Sequence, residues 1–251
     1  MKETRFASPV ILHIPHASTR IPAEERAAFV LPALEEELRI LTDRYTDELF
    51  AGRFDSVCFP VSRLVCDPER FRDDRDEPMA AVGMGAVYTH ASTGAVLRTL
   101  DKQQRERILQ TYYDPHHARL TAAVQEKLDR YGRCLLMDCH SFSPTPLPHE
   151  PDQAPLRPDF CIGTDAFHTP IGLRDAAVRF LQSHGYSVSL NRPFSGTIVP
   201  LPFLCREERV HSLMIEVNRR LYLSGTERNP SFPECRRLLQ QLLCFLADAD
   251  A

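Results

Sequence analysis

Short apolar runs alternate along the chain with longer segments in which apolar residues recur every three or four positions. The short runs are rich in Val, Ile, Leu, Phe and Cys and have the length of β-strands, whereas the longer spacing is typical of amphipathic helices. Strands are predicted at residues 9–14, 57–65, 133–139, 159–163, 186–190 and 210–217. This alternation predicts an α/β sandwich with a mostly parallel or mixed sheet.

The helical segments lie between these strands. Within residues 31–50, apolar side chains recur at steps of three and four, which predicts one amphipathic helix. Residues 101–131 are predicted to form two helices that separate at Asp114-Pro115, because proline suits the first turn of a helix better than its interior. Two further helices are predicted at residues 170–182 and 232–246.

Two stretches, residues 73–93 and 143–158, match neither pattern and are rich in glycine or proline. Loops of this length in a compact domain usually border a functional site or are mobile. Because each follows a predicted strand, we expect both to border the site. We find no internal repeat and no interdomain linker, so residues 1–251 are predicted to form a single domain.

The composition is that of an ordinary globular protein, at 43% hydrophobic and 25% charged residues. A net charge of −4 argues against a nucleic-acid partner. No apolar run reaches the length of a membrane span, and the amino terminus lacks the apolar core of a signal peptide. The eight cysteines form no CxxC pair, which predicts reduced, buried thiols in a cytoplasmic protein and no structural zinc cluster.

Polar residues that can carry chemistry follow three of the predicted strands. His16 comes after the first strand, His140 after the third, and Glu216 lies at the end of the last. In open α/β sheets, ligands bind at the carboxyl ends of the strands. Neighbouring parallel strands would therefore allow the two imidazoles to share a metal ion, although a histidine at a strand end is also a common capping or packing residue.

Asp43 is a candidate third ligand on the polar side of the predicted 31–50 helix, although an isolated Asp is usually solvated. Two histidines and one carboxylate leave a position on zinc open, which is the catalytic arrangement. His13 is an alternative partner for His16, but residues three apart in a strand point to opposite faces. We therefore place His13 in the core or behind the ligands.

Glu216 is costly to bury in an apolar strand unless it is paired or functional. Beside a metal it would be a general base, and the alternative is an ion pair with Arg219 or Arg220. Arg70 has the planar guanidinium suited to bind a substrate carboxylate, although a surface charge cluster explains its surroundings equally well. The sequence contains no phosphate-binding loop, no dinucleotide-binding glycine pattern and no nucleophile elbow.

Together these residues resemble the N-formylglutamate amidohydrolase family (N-formylglutamate deformylases). The matching segments are colinear and span nearly the whole chain: Ile14-Pro15-His16-Ala17-Ser18, Thr42-Asp43-Arg44-Tyr45, Ser62-Arg63-Leu64-Val65, Asp67 with Arg70, Tyr112 to His117, Asp138-Cys139-His140-Ser141-Phe142, Asn191-Arg192-Pro193-Phe194-Ser195-Gly196 and Ile215-Glu216-Val217-Asn218-Arg219. The resemblance implies a zinc-carboxypeptidase-like three-layer α/β/α fold and a metal-dependent amidohydrolase.

The resemblance also implies functions for individual residues. Zinc ligands fall on His16, Asp43 and His140, with Glu216 as the general base. The implied substrate-binding residues are Arg70, Asn191, Asn218 and His117. Of these, Arg70 anchors a substrate carboxylate and the other three support the binding. The implied reaction converts N-formyl-L-glutamate, a small-molecule substrate, to formate and L-glutamate, and the family's usual setting is histidine catabolism.

The chain departs from the family pattern at two positions. It has Asp67-Pro68-Glu69-Arg70 where Asp-Leu-Asn-Arg is common, and Pro115-His116-His117 where Pro-Tyr-His is usual. Glu69 adds a negative charge next to the expected carboxylate anchor, which favours weaker binding of a dianionic substrate unless its side chain points away. Two alternatives therefore stay open: a related zinc amidohydrolase or carboxypeptidase with another N-acyl substrate, and a non-catalytic ligand-binding relative. The oligomeric state and the physiological metal are also left open.

Overall fold

The structure is a computed structural model that describes residues 8–250. Every predicted strand is present, and the strands form one six-stranded sheet: β1 (Val10–Ile14), β2 (Asp55–Cys58), β3 (Cys134–Phe142), β4 (Phe160–Gly163), β5 (Val188–Leu190) and β6 (Val210–Asn218). A separate hairpin consists of β7 (Leu223–Ser224) and β8 (Glu227–Arg228).

The order of the strands in the sheet is β2-β1-β3-β6-β4-β5. The first four of these are parallel, whereas β4 runs antiparallel to β6 and parallel to β5. The prediction of a mixed, mostly parallel sheet is therefore confirmed. Because β1, β3 and β6 are adjacent and parallel, their carboxyl ends meet at one edge.

The helices connect the strands: α1 (Ala23–Arg26), α2 (Leu31–Leu41), α3 (Thr46–Leu49), α4 (Lys102–Ile108), α5 (Asp114–Tyr131), α6 (Ile171–Ser183) and α7 (Phe232–Ala249). The 3₁₀ segments are Pro78–Val82 and Arg219–Leu221, and a π-helical turn, Leu109–Tyr113, joins α4 to α5. Helix α5 begins at Asp114, but the predicted separation there was wrong, because the backbone stays helical from α4 through the π-helical turn into α5. The two later helices are confirmed. Among residues 8–250, no helix is both long and apolar enough to cross a membrane.

Helices cover both faces of the sheet. On one face, α6 and α7 pack against alternate strand residues such as Leu12, Met137 and Ile215. On the other face, α5 packs through Leu120 against intervening residues such as Leu136. Because successive strand residues point to opposite faces, a strand covered on both sides must be apolar throughout. This confirms the α/β class and gives the three layers.

The prediction of one helix over residues 31–50 was wrong. Helix α2 ends at Leu41, Thr42 is extended, and Tyr45 has a left-handed φ of 63° before α3 begins. The backbone N–H of Asp43 donates to the carbonyl of His16 at 3.0 Å instead of continuing the helix. Asp43 therefore lies in a break between two helices, and this break turns its side chain towards the sheet edge.

The strand predicted at residues 57–65 is shorter in the structure, where β2 ends at Cys58. Pro60 has no N–H to give to a neighbouring strand, so it ends the ladder. Beyond it, the N–H of Val65 donates to the carbonyl of Ser62 at 2.9 Å, which closes a turn. This turn carries the chain towards the same sheet edge.

A buried arginine holds this turn in place. Arg98 is only 2% exposed, and its guanidinium donates to the carbonyls of Leu64 at 3.0 Å, Val65 at 2.7 Å and Tyr88 at 2.7 Å. The guanidinium also lies 4.4 Å from the ring centroid of Phe29. Burial lowers the pKa of Arg98 to about 10, so it stays a cation at neutral pH. Arg98 thus ties two loops together at the edge of the sheet.

We expect Arg98→Met to lower the free energy of unfolding by about 2–4 kcal/mol, because the three buried carbonyls would lose their donor. Equilibrium unfolding in urea measures this change. The control is Arg75→Met, which removes an 88% exposed guanidinium and is expected to leave stability unchanged. Equal stability of the Arg98→Met variant and the unmodified protein would contradict the interpretation.

Candidate functional site

A cavity of about 200 Å³ opens at the carboxyl edge of β1, β3 and β6. Both long loops predicted to border the site contribute to its wall, through Tyr88 and His149. Five of the residues predicted to carry chemistry line this cavity: His16, Asp43, Arg70, His140 and Glu216. The fold thus brings together residues that are up to two hundred positions apart in sequence.

Three of these side chains form a group with metal-ligating atoms. The Oδ2 atom of Asp43 lies 3.7 Å from His16 Nδ1 and 3.5 Å from His140 Nδ1, and the two imidazole centroids are 5.0 Å apart. All three residues are buried, and His16 Nδ1 has no hydrogen-bond partner. Zinc binds imidazole nitrogen and carboxylate oxygen at about 2.0–2.2 Å, so ligand atoms at these separations can share one ion. The residues therefore fit a divalent metal, with a coordination position left over.

Each member of this group comes from a different element. His16 lies two residues beyond β1, and Asp43 lies in the break between α2 and α3. His140 was predicted to follow its strand, but β3 continues to Phe142 and pairs His140 with Glu216 of β6. The register of two parallel strands therefore places the candidate base beside the candidate ligand.

Both candidate histidine ligands have a carboxylate on the far side of the ring. His16 Nε2 lies 2.8 Å from Asp67 Oδ1, and His140 Nε2 lies 2.9 Å from Asp138 Oδ1. Metal-binding histidines commonly donate their second N–H to a carboxylate, which fixes the tautomer and the orientation of the ring. Here this arrangement leaves Nδ1 of each ring facing Asp43.

Sequence reasoning missed these two carboxylates. Burial would raise the pKa of Asp67, but Arg63 and His16 hold it well below its ordinary value, so Asp67 is ionised. The sequence did contain a signal for the contact between Asp138 and His140. Residues two apart in a strand point to the same face, and Asp138 precedes His140 by two residues. For Asp67 the signal was an acidic residue that directly follows the apolar run Leu64-Val65-Cys66.

Asp43 is held by contacts to its own oxygens. Arg219 donates from Nη2 to Asp43 Oδ1 at 2.7 Å, and the N–H of Ser141 donates to Oδ2 at 3.1 Å. Burial opposes ionisation, but contacts with His140, His16 and Arg219 keep the pKa of Asp43 well below its ordinary value. The ligand group therefore contains an ionised carboxylate in a fixed orientation.

Glu216 is 6% exposed and lines the cavity. Its Oε2 atom has no hydrogen-bond partner, and burial raises the pKa of Glu216 to about 8. Of the two arginines considered as ion-pair partners, Arg219 donates to Asp43 and Arg220 to Asp159. Within residues 8–250, the structure therefore leaves a carboxylate oxygen of Glu216 free to handle a proton.

The predicted substrate-binding residues are not all in this cavity. Arg70 lines it, and its Nε atom has no hydrogen-bond partner, with Asp67 Oδ2 4.0 Å away. His117 lines an adjoining cavity of about 360 Å³ and contacts the carbonyl of Pro68 at 3.0 Å. Neither cavity is lined by Asn191 or Asn218.

The two asparagines instead bond to nearby parts of the chain. Asn191 donates to the hydroxyl of Thr164 at 2.8 Å, and the fully buried Asn218 donates to the carbonyl of Pro158 at 2.8 Å. Arg63 and His149 line the main cavity, although sequence reasoning gave neither a function. Burial, with Arg63 and Arg70 nearby, lowers the pKa of His149 to about 4, so its ring is neutral.

Comparisons with known proteins agree with the fold. A family profile described as N-formylglutamate amidohydrolase matches residues 8–223. The N-formylglutamate deformylase of Pseudomonas putida is 26% identical over 269 residues, which cover 96% of this chain and 94% of the relative. The crystal structure of an N-formylglutamate amidohydrolase from Ralstonia eutropha superposes with a TM-score of 0.84 at 26% identity, covering 98% and 95% of the two chains. A gene product of Agrobacterium tumefaciens shares the fold, with a TM-score of 0.62 at 18% identity over 95% and 91%.

Fold and cavity together define an α/β protein with a polar site at the carboxyl edge of its sheet. Since the family profile covers most of the chain, the protein belongs to the N-formylglutamate amidohydrolase family.

We expect Asp67→Asn to weaken zinc binding by about 10- to 100-fold, because His16 would lose the carboxylate that fixes its tautomer. Competition with a chromogenic chelator measures the affinity of the purified protein. The control is Asp129→Asn on the exposed side of α5, where only Gln125 contacts the carboxylate. Unchanged affinity of the Asp67→Asn variant would contradict the assignment of His16 as a ligand.

Proposed function

We propose that this protein hydrolyses N-formyl-L-glutamate to formate and L-glutamate, using one zinc ion held by His16, Asp43 and His140. The observation that carries the proposal is the position of Glu216. Its free carboxylate oxygen is buried in the same cavity as a group of three metal-ligating side chains. Membership of the N-formylglutamate amidohydrolase family supports the choice of substrate.

A zinc ion in such a site supplies a Lewis acid and lowers the pKa of a coordinated water to about 7. The chain supplies the proton transfers. Glu216 takes a proton from the attacking water and then donates it to the departing amine, as a general base and acid. Its raised pKa of about 8 suits this exchange, since a catalytic group works best when its pKa lies near the working pH.

Arg70 is the proposed anchor for a substrate carboxylate. Its guanidinium lines the cavity, and its Nε has no partner in the part of the chain that the structure describes. A guanidinium binds a carboxylate through two parallel hydrogen bonds. In this proposal the other three residues support the site indirectly, through hydrogen bonds to the backbone of nearby segments. Asn191 bonds to Thr164, Asn218 to Pro158 and His117 to Pro68.

A second candidate substrate is an amino acid with a longer N-acyl group. The adjoining cavity shares Glu69, Arg70, Ser195 and Thr197 with the main one, and apolar side chains such as Leu201 line its wall. An acyl chain longer than formyl would find space there. A panel of N-formyl, N-acetyl and N-succinyl amino acids distinguishes the two substrates.

The cellular setting is part of the same proposal. We place the reaction in the cytoplasm, as a step of histidine catabolism. All eight cysteines are unpaired, which suits a reducing compartment.

We expect formate release from N-formylglutamate to be lost when the purified protein is stripped of metal and restored by one equivalent of zinc.

We further expect Glu216→Gln to lower kcat by about 10²- to 10⁴-fold while zinc content stays at one equivalent, because the amide accepts no proton. A coupled assay for formate and elemental analysis of the same samples measure both quantities.

The matched control is Glu227→Gln, which neutralises an exposed glutamate in β8. It is expected to keep full activity. Zinc bound at one equivalent without formate release from any sample would contradict the substrate but not the metal site. Full activity of the Glu216→Gln variant would contradict the assignment of the base.

A further inference from the structure

A chain of buried contacts leads away from the candidate metal centre behind His140. Asp138 Oδ1 contacts His140 Nε2 at 2.9 Å and also lies 3.0 Å from His13 Nδ1. The same His13 nitrogen lies 3.0 Å from Glu69 Oε1. Glu69 is therefore connected to a candidate ligand through two fully buried side chains.

The charges along this chain alternate. Burial opposes a charged His13, but contacts with Asp138 and Glu69 outweigh it and raise the pKa of His13 to about 9. The other nitrogen of His13 lies 2.8 Å from His116 Nε2. Burial, with the nearby cations of His13 and Arg119, lowers the pKa of His116, so that its ring is neutral and accepts a hydrogen bond from His13.

The geometry assigns Glu69 as a positioning residue, which fixes the His13 ring against Asp138 and thereby holds the His140 ring for metal binding. This inference rests on the proposed function, because it concerns the same ligand group. It also gives the Glu69 carboxylate a partner that is not the substrate. The added negative charge beside Arg70 is offset by the His13 cation, so a substrate carboxylate can still bind.

Two members of this cluster lie on opposite sides of one ring. Glu69 and His116 contact opposite nitrogens of His13. A doubly protonated imidazole requires an acceptor at each nitrogen, and Asp138 is the acceptor at Nδ1 and His116 at Nε2. Glu69 Oε1 has no hydrogen bond among residues 8–250 but adds a negative charge 3.0 Å from Nδ1.

A different use of the same atoms is a second metal site. One atom from each of His13, Glu69 and Asp138 lies within 4.8 Å of the others. However, His13 Nδ1 already lies 3.0 Å from both carboxylates, whereas His16 Nδ1 in the other group has no hydrogen-bond partner among residues 8–250. The hydrogen bond from His13 Nδ1 to Asp138 also uses the nitrogen that a metal would need.

The test replaces Glu69 by glutamine, which keeps the shape of the side chain and removes its charge. We expect zinc affinity to fall and kcat for N-formylglutamate to fall, each by about tenfold, because both act through the His140 ring. KM is expected to stay within about twofold, because in this proposal the Glu69 carboxylate, although it lines the cavity, is engaged by His13 and not by the substrate. The control is Glu106→Gln, an exposed carboxylate paired with Arg72, which should change none of these quantities.

A double-mutant cycle with His13→Asn tests whether Glu69 acts through His13. If it does, the double variant binds zinc no more weakly than His13→Asn alone. Additive losses, or unchanged zinc affinity in Glu69→Gln, overturn the proposal. A fall in KM at unchanged kcat overturns it as well, because it would mean that Glu69 repels the substrate carboxylate.

Metal stoichiometry decides the remaining alternative. A second equivalent of zinc that is lost in Glu69→Gln would identify a metal site and overturn the positioning function. Chelator competition needs no turnover, so the tenfold loss of zinc affinity is expected even if N-formylglutamate is not the substrate. Failure of the proposed function would instead appear as absence of formate from the unmodified protein.

Discussion

The site depends on the balance of charge among carboxylates buried at one edge of the sheet. Asp43, Asp67 and Asp138 are each no more than 2% exposed, and all three contact an imidazole. A buried carboxylate is tolerated only when a cation or several donors compensate its charge. Arg219 compensates Asp43 and Arg63 compensates Asp67. Within residues 8–250, the Oε2 atom of Glu216 has no hydrogen-bond partner, and this is why we propose Glu216 as the group that exchanges protons.

The strand order determines which of these side chains lie close together. Because β1, β3 and β6 are adjacent and parallel, His16, His140 and Glu216 lie together at one edge of the sheet. Asp43 and Asp67 come from irregular segments beside that edge. Arg98 ties the Asp67 segment to a second loop through backbone carbonyls. The sheet therefore sets where His16 and His140 lie, and Arg98 and Arg219 hold the segments that carry Asp67 and Asp43.

Much of this could be predicted from the sequence. The apolar runs located β1, β3, β4 and β6 well, because these central strands are covered on both faces and are buried almost throughout. The edge strands β2 and β5 are partly exposed, and only Val57 and Cys58 of the strand predicted at residues 57–65 lie in β2. Periodicity failed at Asp43, since the apolar spacing continues through Tyr45 although the helix ends at Leu41. Contacts with residues distant in sequence, such as His16, Ser141 and Arg219, hold that break. The contact between Asp67 and His16 was missed for a related reason, because it depends on which segments become neighbours in the fold. The contact between Asp138 and His140 lies within one strand, and its spacing of two residues was a signal that sequence reasoning did not use.

The central claim is that a single metal ion binds between His16, Asp43 and His140. Anomalous diffraction at the zinc absorption edge, from crystals of the zinc-reconstituted protein, tests it most directly. The account predicts one peak within ligand distance of His16 Nδ1, Asp43 Oδ2 and His140 Nδ1. A peak between His13, Glu69 and Asp138 instead, or coordination through the Nε2 atoms of His16 and His140, would contradict it.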